Sequence, residues 1–257
     1  VFMDNDAKKL RIYGTLARET AKRIDPDLDF VLTENAASAI QDADYVITTI
    51  RVGGDDMRVR DERIALSHGV LGQETTGAAG LSFAMRSVAA LCEYCELVKR
   101  LAKPNCKIFN FTNPAGVVSQ TLRDMGYDFT YGICDAPSGM LRSFEKLYGA
   151  PEGSAAGEVY GLNHLSYFSS VTVNGREVLR ELIENPRAYK ETDMRYFSPD
   201  LLKSRHAVLN EYLYYFYYRE QAVENILNAK STRGEQIADI NRRMTAALEN
   251  IDIEKEF

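Results

Sequence analysis

The chain has 257 residues, long enough for one large domain or two modest ones around a sizeable buried core. Its 45% hydrophobic and 26% charged residues are ordinary for soluble globular proteins, and no apolar run approaches the ~20 residues that span a bilayer, so no membrane partner is expected. A net charge of −6, with no block of Lys or Arg, argues against a nucleic-acid reader and for a small-molecule partner.

Residues 1–6, Val-Phe-Met-Asp-Asn-Asp, read as the end of a strand with an acidic tip. In a nucleotide-binding fold that tip holds the carboxylate for the adenosine ribose, which makes Asp4 a candidate; the bland alternative is a helix N-cap. The glycine fingerprint belonging to such a strand would precede residue 1, so the sequence reads as a fragment of a longer enzyme. Helical patterns over 7–24, 36–42, 81–102 and 140–148 then alternate with short β-rich runs over 29–33, 45–50, 107–111 and 130–134. This is the pattern of crossover units on a doubly wound, Rossmann-like parallel sheet, where ligands bind beyond the carboxyl ends of the strands. From Glu158 the pattern changes to strands over 159–162 and 167–173 and helices over 177–184, 206–229 and 233–250, the start of an α+β lobe. The expected division is a Rossmann-like domain over 1–157 without its first strand, followed by an incomplete substrate- and metal-binding domain over 158–257.

There are four cysteines, Cys92, Cys95, Cys106 and Cys134, and the chain opens with no export segment, so reduced thiols and a cytoplasmic location are expected. Cys92 and Cys95 form a C-x-x-C inside a stretch that reads as a helix, without the leading strand a redox motif requires, and are assigned to packing.

The polar residues that follow the strands carry the candidate chemistry. Arg51-Val52-Gly53-Gly54 through Arg63 is dense in both charge signs; it reads either as a salt-bridged helix start or as a site in which Arg58 grips an anionic or polyhydroxylated substrate. Gly72-Gln73-Glu74-Thr75-Thr76-Gly77 suits a loop over a ligand, or a surface turn. Thr112-Asn113-Pro114 is a strand-to-helix turn, with Asn113 as a cap and Pro114 at the first helical position. Cys134 and His164 are a candidate metal pair, thiolate and imidazole being good ligands for first-row ions, or else a buried thiol and a core histidine. Asp135 is a candidate proton donor or a helix cap. In Glu211 through Tyr218 most tyrosines are expected to pack, and one is a candidate base if a nearby cation lowers a phenol pKa of about 10.

Together these motifs resemble glycoside hydrolase family 4, the NAD- and divalent-metal-dependent glycosidases, which include 6-phospho-β- and 6-phospho-α-glucosidases, α-galactosidases and α-glucuronidases. The resemblance runs through nearly the whole chain: Arg51-Val52-Gly53, Arg58-Val59-Arg60-Asp61-Glu62, Gly72-Gln73-Glu74-Thr75, Asn110 to Pro114, Cys134-Asp135-Ala136-Pro137, Gly161-Leu162-Asn163-His164, Tyr212 to Phe216 and Ser231-Thr232-Arg233. It implies a fold like that of lactate and malate dehydrogenases. It also implies Cys134 and His164 as ligands for Mn²⁺ or another first-row ion, Asp135 as acid, Tyr212 as base and Glu74 as a residue that raises the tyrosine's basicity. Arg58, Asn113 and Arg233 take substrate-binding positions, and Asp4 takes the ribose carboxylate of NAD.

The implied reaction takes hydride from sugar C3, removes the C2 proton, expels the aglycone, adds water and returns the hydride; the two-carboxylate scheme of most glycosidases does not apply. Asp135 resembles the 6-phospho-α branch, while the Tyr212-Leu213-Tyr214-Tyr215 segment resembles the 6-phospho-β branch, which is favoured. A homodimer or homotetramer is the family expectation. Two rivals stand beside this reading: a 2-hydroxyacid dehydrogenase, which would give net NADH, and an inactive sugar-phosphate-binding protein.

Overall fold

The structure, a computed structural model, describes residues 1–256, with side chains through Lys255. Strand β1 (Phe2–Met3) pairs in parallel with β2 (Leu32–Thr33). Strands β3 (Tyr45–Thr48), β4 (Lys107–Asn110) and β5 (Thr130–Gly132) form a second parallel sheet in that order. In a doubly wound fold of order 3-2-1-4-5-6, the pair occupies places 3-2 and the second sheet places 4-5-6. The two parallel sheets are separate ladders.

Packing divides the chain into two compact units, one of Val1–Gly132 with the segment from Ala229 onward, the other of Ile133–Asn228. This differs from the sequence boundary at 157. The helix Ala136–Tyr148, read as part of the first domain, packs on the antiparallel sheet of the second unit, and the helix Arg233–Glu249 packs on the helix Gly54–Ser67 of the first. The apolar spacing explains both placements: Met140, Phe144 and Leu147 share one buried face, while Gly234 is the buried point of the later helix.

The first unit's core lies between the second parallel sheet and its crossover helices. Helix Gly77–Leu101 buries Gly80, Ala84, Ser87, Leu91, Cys95 and Val98, an alternation of three and four that keeps one stripe inward against Ile108, Val118 and Leu122. Burial pushes the Cys95 thiol up to about 12, so it packs as an inert apolar group.

The second unit is built on β6 (Ala155–Leu162), β7 (Leu165–Val173), β8 (Arg176–Glu177) and β9 (Val208–Leu209), with β7 pairing antiparallel to the other three. Phe168, Val171 and Val173 face inward from β7 onto Phe144, Leu182, Met194 and Leu202, the two-residue period being broken between Phe168 and Val171 where the register with β6 shifts. The continuous helix read over 206–229 is not formed. His206 closes the helix Pro199–Arg205 in a left-handed conformation, and the fully buried Val208 and Leu209 form the β9 strand instead. Asn210 then caps a 3-10 turn, Glu211–Leu213, before the helices Tyr214–Tyr217 and Arg219–Asn228. Burial of two apolar residues beside β7 has overridden the helical pattern of the aromatic run. Among the described residues no helix is long and apolar enough to cross a membrane.

Candidate active site

The second unit holds four of the expected residues, Cys134, Asp135, His164 and Tyr212, and two devices place the last two. The first is the hairpin between β6 and β7, which pairs Leu162 with Leu165 and leaves Asn163 and His164 as a two-residue turn. His164 sits at φ +60°, a left-handed position that costs a non-glycine residue about 1 kcal/mol. Gly161, at φ +111°, lets the two strands approach: a Cβ there would lie 2.4 Å from the Leu165 carbonyl oxygen. The second device is β9, which pairs Val208 and Leu209 with Phe168 and Tyr167 and continues as Asn210 N–H donates to the Ser166 carbonyl at 3.0 Å. Two residues further, Tyr212 arrives beside His164, and its N–H is fixed by the Asn210 side-chain oxygen at 3.0 Å.

The Tyr212 and His164 rings stack face to face, with centroids 3.6 Å apart and planes 5° from parallel. Tyr215 leans on Tyr212 at 6.1 Å. The Sγ of Cys134 lies 3.5 Å from the Nε2 of His164. Donor atoms bound at 2.3 Å (sulfur) and 2.1 Å (nitrogen) to one first-row ion are separated by roughly 3.1–3.6 Å for ligand angles of 90–109°, so the pair fits a shared divalent ion. Among the described residues no third His, Cys, Asp or Glu completes a cluster. The two side chains would therefore leave coordination positions to substrate oxygens or water.

Asp135, adjacent to Cys134, takes the N-cap position of the helix Ala136–Tyr148 but makes no side-chain capping hydrogen bond, and it is exposed. The capping alternative for its carboxyl is not realised. Glu211, beside Tyr212, has its carboxyl raised above the ordinary range by burial, with Asp193 and Asp135 acting in the same sense.

The first unit holds the remaining candidates. Arg58 is buried in the helix Gly54–Ser67, where its Nε donates to Glu62 at 3.2 Å and its Nη1 pairs with Glu74 at 3.0 Å. Glu74 also receives Arg51 at 2.6 Å. Of the two sequence readings of this stretch, the salt-bridged helix start is the one these pairs form. Removing one partner of so buried a set leaves an uncompensated charge, at about 3–5 kcal/mol.

The turn that carries Glu74 is fixed from within. The side-chain oxygen of Gln73 accepts from the N–H and hydroxyl of Thr75 and of Thr76, all at 2.7–3.0 Å. These bonds close the stretch into a turn. Asn113 precedes a cis peptide bond to Pro114, and Pro114 rather than Asn113 is the N-cap of the helix Ala115–Asp124. This corrects the expected cap geometry: Pro114 stands one position earlier than first helical, and the Asn113 oxygen accepts only a long contact, 3.4 Å, from Ala115 N–H. The carboxyl ends of β3 and β4 are tied by Thr48, whose hydroxyl donates to Asn110 at 2.9 Å, and by Thr112, which accepts from Ile50 N–H at 2.9 Å.

Arg233 is exposed at the start of the helix Arg233–Glu249, whose N-terminus has a capping box of Thr232 and Glu235. Glu235 takes both Nε and Nη2 of Arg63, at 2.8 and 2.6 Å, and Gly234 N–H donates to Glu62 at 2.7 Å. Asp4 lies at the end of β1, where its Oδ1 accepts from Asp6 N–H at 2.9 Å. Asp6, not Asp4, caps the helix that follows. Asp4 therefore keeps the strand-end position that a dinucleotide-binding fold gives its ribose carboxylate.

Residues 1–150 match the family described as Family 4 glycosyl hydrolase, and residues 159–256 match the Family 4 glycosyl hydrolase C-terminal domain. The chain belongs to glycosyl hydrolase family 4. It is 32% identical, over 88% of its own length, to a probable 6-phospho-beta-glucosidase of Bacillus subtilis (strain 168). Its fold superposes on the 6-phospho-beta glucosidase of Thermotoga maritima, solved with manganese, NAD+ and glucose-6-phosphate, with a TM-score of 0.84 and 29% identity over 97% of the chain. A 6-phospho-alpha-glucosidase from gut microorganisms, solved with NAD and glucose-6-phosphate, gives 0.87 and 26% over 98%. The family 4 chain spans 53% of the B. subtilis relative, 59% of the T. maritima chain and 62% of the gut enzyme.

Two residues that hold the candidates Glu74 and Arg58 were not singled out by sequence. Arg51 was legible only as a charge after β3, because its pairing with Glu74 across 23 residues is tertiary. Glu62 stands four residues after Arg58, the spacing that puts two side chains on one helix face, and that signal was available.

Proposed function

We propose that this chain is part of an enzyme that hydrolyses the O-glycosidic bond of 6-phosphoglucosides, by oxidation at C3, proton removal at C2 and elimination. The observation that carries the reading is the second unit's cluster, Cys134 facing His164 at 3.5 Å with Tyr212 stacked on the imidazole. When bound, NAD⁺ and a divalent ion such as Mn²⁺ would supply a hydride acceptor and a Lewis acid. Cys134 and His164 would hold the ion, and Asp4 would hold the ribose.

Tyr212 is the base that takes the C2 proton, its ring kept in place by the stack and its backbone by Asn210. Asp135, exposed and free of a capping duty, donates a proton to the leaving oxygen. Arg58, Asn113 and Arg233 bind the phosphorylated sugar, with guanidinium groups suited to a phosphate by their planar donor fork. Glu74 completes the set by orienting Arg58.

The β anomer is the favoured substrate in this reading, supported by Tyr212-Leu213-Tyr214-Tyr215 and by the identity with the B. subtilis relative, whereas Asp135 is the feature shared with the α branch. The full-length protein is assayed on p-nitrophenyl 6-phospho-β-glucoside and its α anomer, with NAD⁺, Mn²⁺ and reductant each added or omitted. Cleavage that needs all three, with solvent deuterium appearing at C2, is the expected result. Cleavage indifferent to NAD⁺ and metal, or net NADH from hydroxy acids, overturns it.

A further inference from the structure

Glu62 is 1% exposed, and both of its carboxylate oxygens are committed to residues of separate elements. Its Oε1 takes the Nε of Arg58 at 3.2 Å, one turn earlier on the same helix. Its Oε2 takes the backbone N–H of Gly234 at 2.7 Å, 172 residues away. Gly234 is the second residue of the helix that Arg233 begins, so the carboxylate also answers the partial positive charge of that helix start. The approach is possible only with glycine there, since a Cβ on Gly234 would stand 2.7 Å from Oε2 and 3.1 Å from Oε1. The backbone of Glu62 is used as well: a Cβ on Gly72 would lie 2.3 Å from its carbonyl oxygen, which seats the turn carrying Glu74 against the same residue.

We propose that Glu62 is a positioning residue that locks the Arg58 side chain and the Arg233-bearing helix start into one anion-binding frame. The proposal rests on the reading of Arg58 and Arg233 as sugar-phosphate ligands. An ordinary ion pair would not need this arrangement. Arg58 already has Glu74 at 3.0 Å, and the helix start already has the capping box and the Arg63–Glu235 pair. Glu62 adds the one link common to both. A charge-neutral glutamine has one oxygen where two donors converge, so its amide must turn a second N–H against either Arg58 or Gly234. One of the two elements is then released.

The test is a double-mutant cycle in the full-length protein with glucose 6-phosphate as the probe, measured by titration calorimetry on the parent, Glu62→Gln, Arg233→Lys and the double variant. Each single change is expected to weaken binding about tenfold, and the double variant by less than about 30-fold instead of the 100-fold product, because Glu62 acts through the arginine. Fully multiplicative losses overturn the proposal, since a general loss of stability has no reason to couple to Arg233. Amide hydrogen exchange over residues 231–236 supplies a second readout that needs no ligand: Glu62→Gln is expected to speed it at least tenfold, as is Gly234→Ala, which displaces the carboxylate without removing its charge. Unchanged exchange in both variants overturns the proposal. A parent that binds no glucose 6-phosphate while exchange responds as expected refutes the sugar-phosphate reading and leaves Glu62's linking role supported.

Discussion

His164 and Tyr212 lie face to face with their planes 5° apart, the imidazole on a hairpin turn and the phenol on a 3-10 turn that β9 delivers to the same place. The contact joins a proposed metal ligand to a proposed base through ring faces, a contact that a phenylalanine ring can also make. Structure and chemistry at Tyr212 can therefore be separated by removing one oxygen atom. Tyr212→Phe is expected to keep the stack, the thermal midpoint and Mn²⁺ affinity, and to lower kcat by about 10²–10⁴-fold, the range of a lost general base. Steady-state kinetics with a C2-deuterated substrate provide the check. A loss under tenfold would remove Tyr212 from the proton-transfer step.

Cys134 and His164 are the two proposed metal ligands, and among the described residues no third His, Cys, Asp or Glu completes a cluster with them. Cys134→Ser and His164→Asn are each expected to weaken Mn²⁺ binding by at least about 100-fold, beyond the 10–100-fold typical of losing an outer-shell partner. Chelation of the parent should abolish turnover, and Mn²⁺ should restore it. Calorimetric titration of Mn²⁺ into the parent and variants decides the matter; parent-like affinity in either variant would show that the ion is held elsewhere.

The proton donor is tested through the leaving group. Asp135 is proposed to protonate the departing oxygen, a task that matters for an alkoxide and hardly at all for p-nitrophenolate. Asp135→Asn is expected to lower kcat by about 10²-fold or more on a 6-phosphodisaccharide, and by less than tenfold on the p-nitrophenyl glycoside. Equal losses on the two substrates would mean that Asp135 serves binding or structure instead.

The alternation of helices with β-rich runs was enough to read the parallel half, and β3, β4 and β5 begin where the pattern places them. The strand expected over 29–33 shrinks to Leu32–Thr33, since only those residues have a partner in β1. The run after His206 was unreadable for a different reason. Tyrosines at 212, 214, 215, 217 and 218 satisfy a helical period, and only the burial of Val208 and Leu209 against β7 breaks it. At the site, residue types pointed to Cys134, His164 and Tyr212, but no local rule states that a hairpin register and the two-residue strand β9 bring His164 and Tyr212 together. The left-handed His164 was not read from the sequence either: histidine is among the residues enriched in that conformation, but residue type alone does not say which histidine adopts it.

Gly161 is where the strands of the His164 hairpin approach most closely. Its φ of +111° is open to glycine and not to L side chains, and the added Cβ would fall 2.4 Å from a backbone oxygen that cannot swing away. Gly161→Ala is expected to destabilise the protein by about 2–4 kcal/mol and to weaken Mn²⁺ binding by displacing His164. Urea unfolding and Mn²⁺ titration measure the two effects. A variant as stable as the parent, with parent-like Mn²⁺ affinity, would show that the β6–β7 hairpin tolerates a different turn.

Acid should release the helix Arg233–Glu249 before it unfolds the rest of the first unit. The Glu235 carboxyl is held below its usual value by the Arg63 guanidinium bonded to it, with Thr232 N–H adding to the effect against an opposing loss of hydration. A carboxyl lowered in the folded state contributes stability that is present above its unfolded pKa, near 4.5, and is lost as pH falls through the folded value. The expected window therefore opens at about pH 4.5 and extends downward. Because the pair is partly exposed, its contribution is screened to about 1 kcal/mol or less. Amide exchange over residues 231–240 should accelerate as pH falls from 5 to 3, after correction for intrinsic rates, and Glu235→Gln should show the faster exchange already at pH 7 with little further response to acid. An acid response unchanged in Glu235→Gln would assign the effect to other carboxylates.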